Sequence, residues 1–196
     1  MTRQADAKGS IGKAAARLLP ESGVLFVDAG SSCAALIANI PREATYTVVT
    51  RSLEIAILLA DWPGIKVVVT GGEVAHMSHG LVGPLAQRTI GQFRYDAAFL
   101  GVDAVDPVDG VGEPTLEEVA TKELAAERSR RVIVLADHSK LAPSLVSAWA
   151  PLTEWTLVTD EKTDDPDVAA RLAEFRDAGV NVVVSPTSPD LDLRND

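Results

Sequence analysis

Seven apolar runs of strand length, separated by stretches of helical spacing or turn residues, constrain this chain more than any other feature. They lie at 24–27, 46–50, 66–70, 96–101, 131–136, 155–159 and 180–184. Most are continuous rather than alternating, as in Val132-Ile133-Val134-Leu135, which predicts strands buried on both faces. Such strands need helices above and below, and a parallel sheet with crossover helices supplies them. The expected fold class is therefore α/β, a mostly parallel sheet with helices on both faces. The 196 residues are enough for one domain with a substantial core, and no repeat or linker divides them.

The intervening segments set the helices. Ile11, Ala14, Ala15, Leu18 and Leu19 recur at helical spacing, with Pro20 and Gly23 as the stop. Ala35, Leu36, Ile37 and Ile40 form the stripe of a second helix, and Leu53, Ala56, Ile57 and Ala60 that of a third. A modest helix is predicted over 84–93. Thr115-Leu116-Glu117-Glu118 is a capping box that starts a helix running to about Ser129. Asp165-Pro166 opens the last helix, with Val168, Leu172 and Phe175 inward and Gly179 at its end. The stretch 73–83 and the acidic loop 102–112 read as irregular. Residues 1–8 read as a polar linker remnant, 9–185 as the folded domain, and 186–196 as a loose tail.

Charge and cysteine content exclude several functions. A net charge of −10 is wrong for a surface that grips nucleic acid. A single cysteine, Cys33, allows no internal disulfide and fits a reducing cytoplasm. No apolar run is long enough to cross a membrane, and the N-terminal stretch lacks the apolar region of a signal peptide.

In open parallel sheets ligands sit beyond the carboxyl ends of the strands. The chemistry-bearing residues fall there. Asp28-Ala29-Gly30-Ser31-Ser32 ends the first strand and opens a helix. Unpaired N–H groups, an approachable Gly30 backbone and two hydroxyls make it a candidate phosphate loop, against the plainer reading of a tight strand–helix turn. It is neither a G-x-G-x-x-G fingerprint nor a Walker loop. Thr50, Arg51 and Ser52 end the second strand, and Gly71 and Gly72 follow the third, where they serve a ligand or simply turn the chain. Asp103 follows the fourth strand and is placed to accept hydrogen bonds from vicinal hydroxyls, whereas Asp106 and Asp109 read as solvated turn residues. Lys122 is spaced for a helical pair with Glu118, or else points into the cleft to neutralise a phosphate. Lys140 closes Asp137-His138-Ser139-Lys140 at the fifth strand end. Cys33, His76, His79 and His138 lack a metal-ligand spacing, and the acids of 103–109 lack that of a calcium loop, so neither metal nor cofactor is expected. Cys33 has no base beside it and reads as a packing residue.

Taken together, Val27-Asp28-Ala29-Gly30-Ser31-Ser32, Val49-Thr50-Arg51-Ser52-Leu53, Thr70-Gly71-Gly72, Val82-Gly83-Pro84, Phe99-Leu100-Gly101-Val102-Asp103, Thr115-Leu116-Glu117-Glu118 with Lys122, and Val134-Leu135-Ala136-Asp137-His138-Ser139-Lys140 carry a family likeness. In this order and spacing, over about residues 8–185, the chain resembles the C-terminal effector-sensing domain of DeoR-family bacterial transcription regulators. The resemblance implies a fold similar to ribose-5-phosphate isomerase and CoA transferases, and a non-enzymatic sensor of a phosphorylated sugar or related metabolite. It implies a ligand site drawn from Asp28, Gly30, Ser31, Ser32, Thr50, Arg51, Ser52, Gly71, Gly72, Asp103, Lys122 and Lys140. It also implies a cytoplasmic homo-oligomer, a repressor that meets DNA through an N-terminal helix-turn-helix outside these residues, and no membrane partner. The family pattern is broken in places. Ala75 and His76 stand where an arginine often follows the glycine pair, Ala104 where glycine is usual, and Leu141-Ala142 where an aromatic and glycine follow the lysine. Two alternatives remain. One is an isomerase-like enzyme, with Asp103 or Glu118 as base and Lys122 or Lys140 stabilising an enediolate. The other is an oligomerising module with a vestigial pocket.

Overall fold

Alternate residues of the first strand point to opposite faces, and both faces are dry. Leu25 and Val27 enter one core and Phe26 the other, all three fully buried. A computed structural model, describing residues 2–142, 145–160 and 165–186, shows how the rest of the chain builds those two cores. The elements in chain order are α1 (Thr2–Ala16), β1 (Gly23–Val27), α2 (Ser31–Ile37), β2 (Tyr46–Thr50), α3 (Leu53–Leu59) and β3 (Ile65–Val69). Then come β4 (Glu73–Val74), β5 (Leu81–Val82), α4 (Pro84–Gly91), β6 (Ala97–Gly101), β7 (Ala104–Asp106), β8 (Gly110–Glu113) and α5 (Leu116–Glu127). The last are β9 (Val132–Leu135), β10 (Ala148–Ala150), β11 (Trp155–Asp160), α6 (Pro166–Asp177) and β12 (Asn181–Ser185).

Seven strands form one sheet in the order β12-β11-β9-β6-β1-β2-β3, and every pairing in it is parallel. These are the seven apolar runs of the sequence. Helices α1, α2 and α3 bury Ile11, Leu36 and Ile55 on one face, and α4, α5 and α6 bury Ile90, Val119 and Phe175 on the other. The order reverses between β1 and β6, the switch point at which such sheets bind ligands. There the ladder is short, with only Leu25–Ala97, Phe26–Ala98 and Val27–Phe99 in register.

Several expectations are corrected. The lead-in 1–8 is helical from Thr2, and Ala7 is buried, because α1 docks along α2 rather than fraying. That docking is close: a Cβ on Gly12 would stand 2.5 Å from the Ala35 carbonyl carbon. Helix α3 buries Ile55 and Leu59, whereas Leu53 and Ile57 of the predicted stripe are exposed. The irregular stretch 73–83 holds the β4–β5 hairpin, and the acidic loop folds into an antiparallel β7–β8 pair extended by β10. Asp106 is not merely solvated. It accepts hydrogen bonds from the N–H groups of Val108 and Asp109 and pairs with Arg171 at 2.6 Å. Of the tail 186–196, residues 187–196 lie outside the described residues. No helix among the described residues is long and apolar enough to cross a membrane.

Candidate functional site

Strand ends β1, β6 and β9 meet at the switch point around a cavity of about 300 Å³, at the small end of ligand sites. Its lining draws on Gly30, Ser31, Ser32, Arg51, Asp103, Lys122 and Lys140 from the sequence-predicted set. Gly30 is positioned by need. It caps α2 at φ 110°, a conformation glycine adopts freely, and so turns the chain from β1 into the helix. The first N–H groups of α2 have no acceptor within the helix. Gly101 at the end of β6 passes close beside, since a Cβ there would stand 2.8 Å from the Ala29 carbonyl oxygen.

Beneath the cavity lies a buried charge cluster. Asp28, fully buried at the end of β1, pairs with Arg51 Nε through one oxygen and with Lys122 Nζ through the other. Lys122 also reaches Glu113 at 3.1 Å and donates to the Gly101 carbonyl at 2.6 Å. Its expected helical pairing with Glu118 does not form. Glu118 instead accepts from the Thr115 hydroxyl at 3.0 Å and approaches Arg51 Nη2 at 3.9 Å. Burial alone would raise the Asp28 carboxyl, but Arg51 and Lys122 outweigh it and hold the group below its ordinary range. Burial would likewise lower Lys122, yet Asp28 and Glu113 keep it above its ordinary value. Glu113 goes the other way. Burial raises its carboxyl, Lys122 opposes, and the Asp28 charge adds to the rise.

The cluster is therefore two cations against three carboxylates, with two atoms unsatisfied: Arg51 Nη1 and Glu118 Oε1 are buried without a hydrogen-bond partner among the described residues. Arg51 itself is almost wholly buried and lines the cavity. Its guanidinium packs against Gly80 of the hairpin end, where a Cβ would stand 2.8 Å from Cζ.

The remaining predicted residues sit elsewhere. Thr50 and Ser52 are buried and structural: the Ser52 N–H donates to Thr50 Oγ1 at 3.0 Å, and Ser52 Oγ caps α3 by accepting from Ile55 N–H. Gly71 and Gly72 turn β3 into the hairpin and lie outside the lining. Cys33 is buried beside the Phe99 carbonyl, and burial pushes its thiol up, away from reactivity. Sequence reasoning missed Lys8, Met77, Ser78 and Glu113, all in the lining. No local signal marks Glu113, which ends a glycine-rich strand.

Glu113 yields a pH expectation. Its folded-state pKa is raised above 4.5, so the ionised carboxylate opposes folding and that cost is relieved as pH falls through the folded value. Wild type should gain stability relative to Glu113→Gln as pH drops toward 4.5, the gain levelling there. Urea melts of both proteins at stepped pH check this, and parallel curves would refute it.

An open α/β sheet with a polar cavity at its switch point, floored by a charge cluster, is the architecture of a small-molecule-binding domain. The particular family is clear from comparison. The model of the DeoR C terminal sensor domain matches residues 3–161, and the chain belongs to this family. It is a sensor domain of transcriptional regulators, not an enzyme. The HTH-type transcriptional regulator GlpR of Haloferax volcanii is 33% identical over 178 residues, covering 91% of this chain and 68% of that protein. The glycerol-3-phosphate regulon repressor of Escherichia coli is 30% identical over 137 residues, covering 70% of this chain and 54% of that protein. Among solved structures, eIF2B delta from Chaetomium thermophilum superposes with a TM-score of 0.53 at 16% identity, covering 76% of this chain and 54% of that one. Ribose 5 phosphate isomerase A from Neisseria gonorrhoeae aligns with a TM-score of 0.49 at 18% identity, covering 71% and 54%.

Proposed function

We propose that the cavity binds a small phosphorylated polyol or sugar, and that its occupancy sets how a repressor presents DNA-reading domains joined N-terminally to this one. The observation that supports this is Arg51, a buried guanidinium that lines the cavity and whose Nη1, beside Gly80, has no hydrogen-bond partner among the described residues. A guanidinium is suited to phosphate oxygens, and the Ser31 and Ser32 hydroxyls stand in the same lining. Asp103 on the rim, 3.2 Å from Lys140 Nζ, supplies a carboxylate for ligand hydroxyls. In this reading Asp28 and Lys122 hold Arg51 and the strand ends in place rather than touching the ligand, and Thr50, Ser52, Gly71 and Gly72 shape the loops around it. The residues 9–185, together with the start of α1, act as the sensing unit of a cytoplasmic homo-oligomer. Names of the relatives, one of them a glycerol-3-phosphate regulon repressor, agree with this class of effector.

Thermal melts with glycerol 3-phosphate, hexose 6-phosphates, pentose 5-phosphates and their unphosphorylated counterparts test the reading. A phosphorylated ligand at a hundred times its Kd should stabilise the domain by about 2.7 kcal/mol, and its free counterpart should not. Equal response to both, or to neither, would overturn the phosphate requirement.

A further inference from the structure

We propose that Lys8 of α1 is the residue that captures the effector's anionic group, and that this contact ties occupancy of the cavity to α1. The inference rests on the phosphorylated-ligand reading above and names the regulatory contact within it.

Every other cation at the cavity already faces a carboxylate: Arg51 and Lys122 share Asp28, Lys122 also meets Glu113, and Lys140 meets Asp103. A dianionic ligand arriving there meets cations that are largely compensated. Lys8 lines the same cavity, half-buried, and forms no ion pair with any described residue. Among the described residues of the lining it is the cation that no carboxylate pairs with. Arg51 lines the same cavity, and its guanidinium keeps one nitrogen, Nη1, buried beside Gly80 without a partner among the described residues, so its hydrogen-bonding capacity is not used up.

Geometry then gives the contact its consequence. Lys8 lies one helical turn from Gly12, and Gly12 is where α1 presses against Ala35 of α2. Ser31 and Ser32, at the start of α2, line the same cavity. A ligand held by Lys8 and by those serines bridges α1 and α2. The matching family is a C-terminal sensor, so in its members the regulated module joins on the N-terminal side, where α1 stands. An effector that binds Lys8 in only one position of α1 binds two arrangements unequally, as a switch requires.

The test uses the 196-residue chain, with glycerol 3-phosphate, glucose 6-phosphate and inorganic phosphate as probes in calorimetric titrations. Lys8→Met should weaken the best of these roughly 10- to 100-fold, the range for a charge-assisted hydrogen bond. Lys8→Arg should recover most of the affinity. Lys66→Met, an exposed lysine on β3, should change nothing. In hydrogen exchange, the amides of α1 should gain protection on ligand addition in wild type and not in Lys8→Met. Tight binding unaffected by Lys8→Met would overturn the capture role while leaving the phosphorylated-ligand reading standing. Binding that depends on Lys8 but leaves α1 exchange unchanged would overturn the coupling. Failure of wild type to bind any probe would overturn both.

Discussion

Asp28→Asn is expected to destabilise the domain by about 3 kcal/mol, the lower end of the range for breaking a buried ion pair. Among the described residues, Asp28 is the carboxylate that holds both Arg51 and Lys122 through direct contacts. Without it Lys122 keeps Glu113 at 3.1 Å, which limits the loss, but Arg51 retains only Glu118 at 3.9 Å. A double-mutant cycle sharpens the expectation: Arg51→Met should cost far less on top of Asp28→Asn than in wild type, because the buried cation it removes is by then poorly paired. The pH dependence follows in sign. The Asp28 pKa is held below 3.8 in the folded state, so its contribution is complete above 3.8 and disappears as pH falls through the folded value. The gap between wild type and Asp28→Asn, read from urea melts, should be flat from pH 7 to about pH 4 and close below it. A loss under about 1 kcal/mol, or strict additivity in the cycle, would contradict the picture of a cluster organised on Asp28.

Gly12→Ala sets two effects against each other. Helix propensity favours alanine by about 1 kcal/mol in the interior of a helix. Packing opposes it, because the new Cβ would meet the backbone of Ala35, which cannot rotate away as a side chain would. Overpacking of this kind costs about 1–3 kcal/mol, occasionally more, and here the upper end applies. A net loss of about 1–2 kcal/mol is expected, with α1 amides exchanging faster than the rest of the core. A stabilised variant would mean that α1 can ride away from α2 freely, and the mechanical link from cavity to α1 would lose its basis.

How much of this was legible in the sequence depends on the range of the interaction. The seven parallel strands were, because burial on two faces leaves each strand as an unbroken apolar run, as in Val132–Leu135. The inward face of α3 was not. Its segment Leu53–Leu59 is apolar nearly all round, so period alone could not separate Ile55 and Leu59 from Leu53 and Ile57. Strand β8 escaped notice because Gly110 and Gly112 remove the side-chain alternation that marks a strand, and β7 because its three residues are too few to show one. At the site, the Thr115 cap was readable because it is local. The partner of Lys122 was not: helical spacing favours Glu118, whereas the fold offers Asp28, 94 positions away. Lys8 was hidden for the same reason, since a polar segment with a glycine gives no hint that it docks over a cavity.

The joint between β1 and β6, with its short ladder, lies directly under the cavity, and Asp28 bolts it by receiving Arg51 from the end of β2 and, from helix α5, Lys122, which also donates to the Gly101 carbonyl at the end of β6. Being buried, these pairs are little screened by dissolved ions, whereas Lys8 reaches solvent and is screened. If Lys8 captures the effector as proposed, raising ionic strength should weaken that capture and leave the frame that displays it intact, so that salt would tune the sensitivity of the detector without loosening its housing.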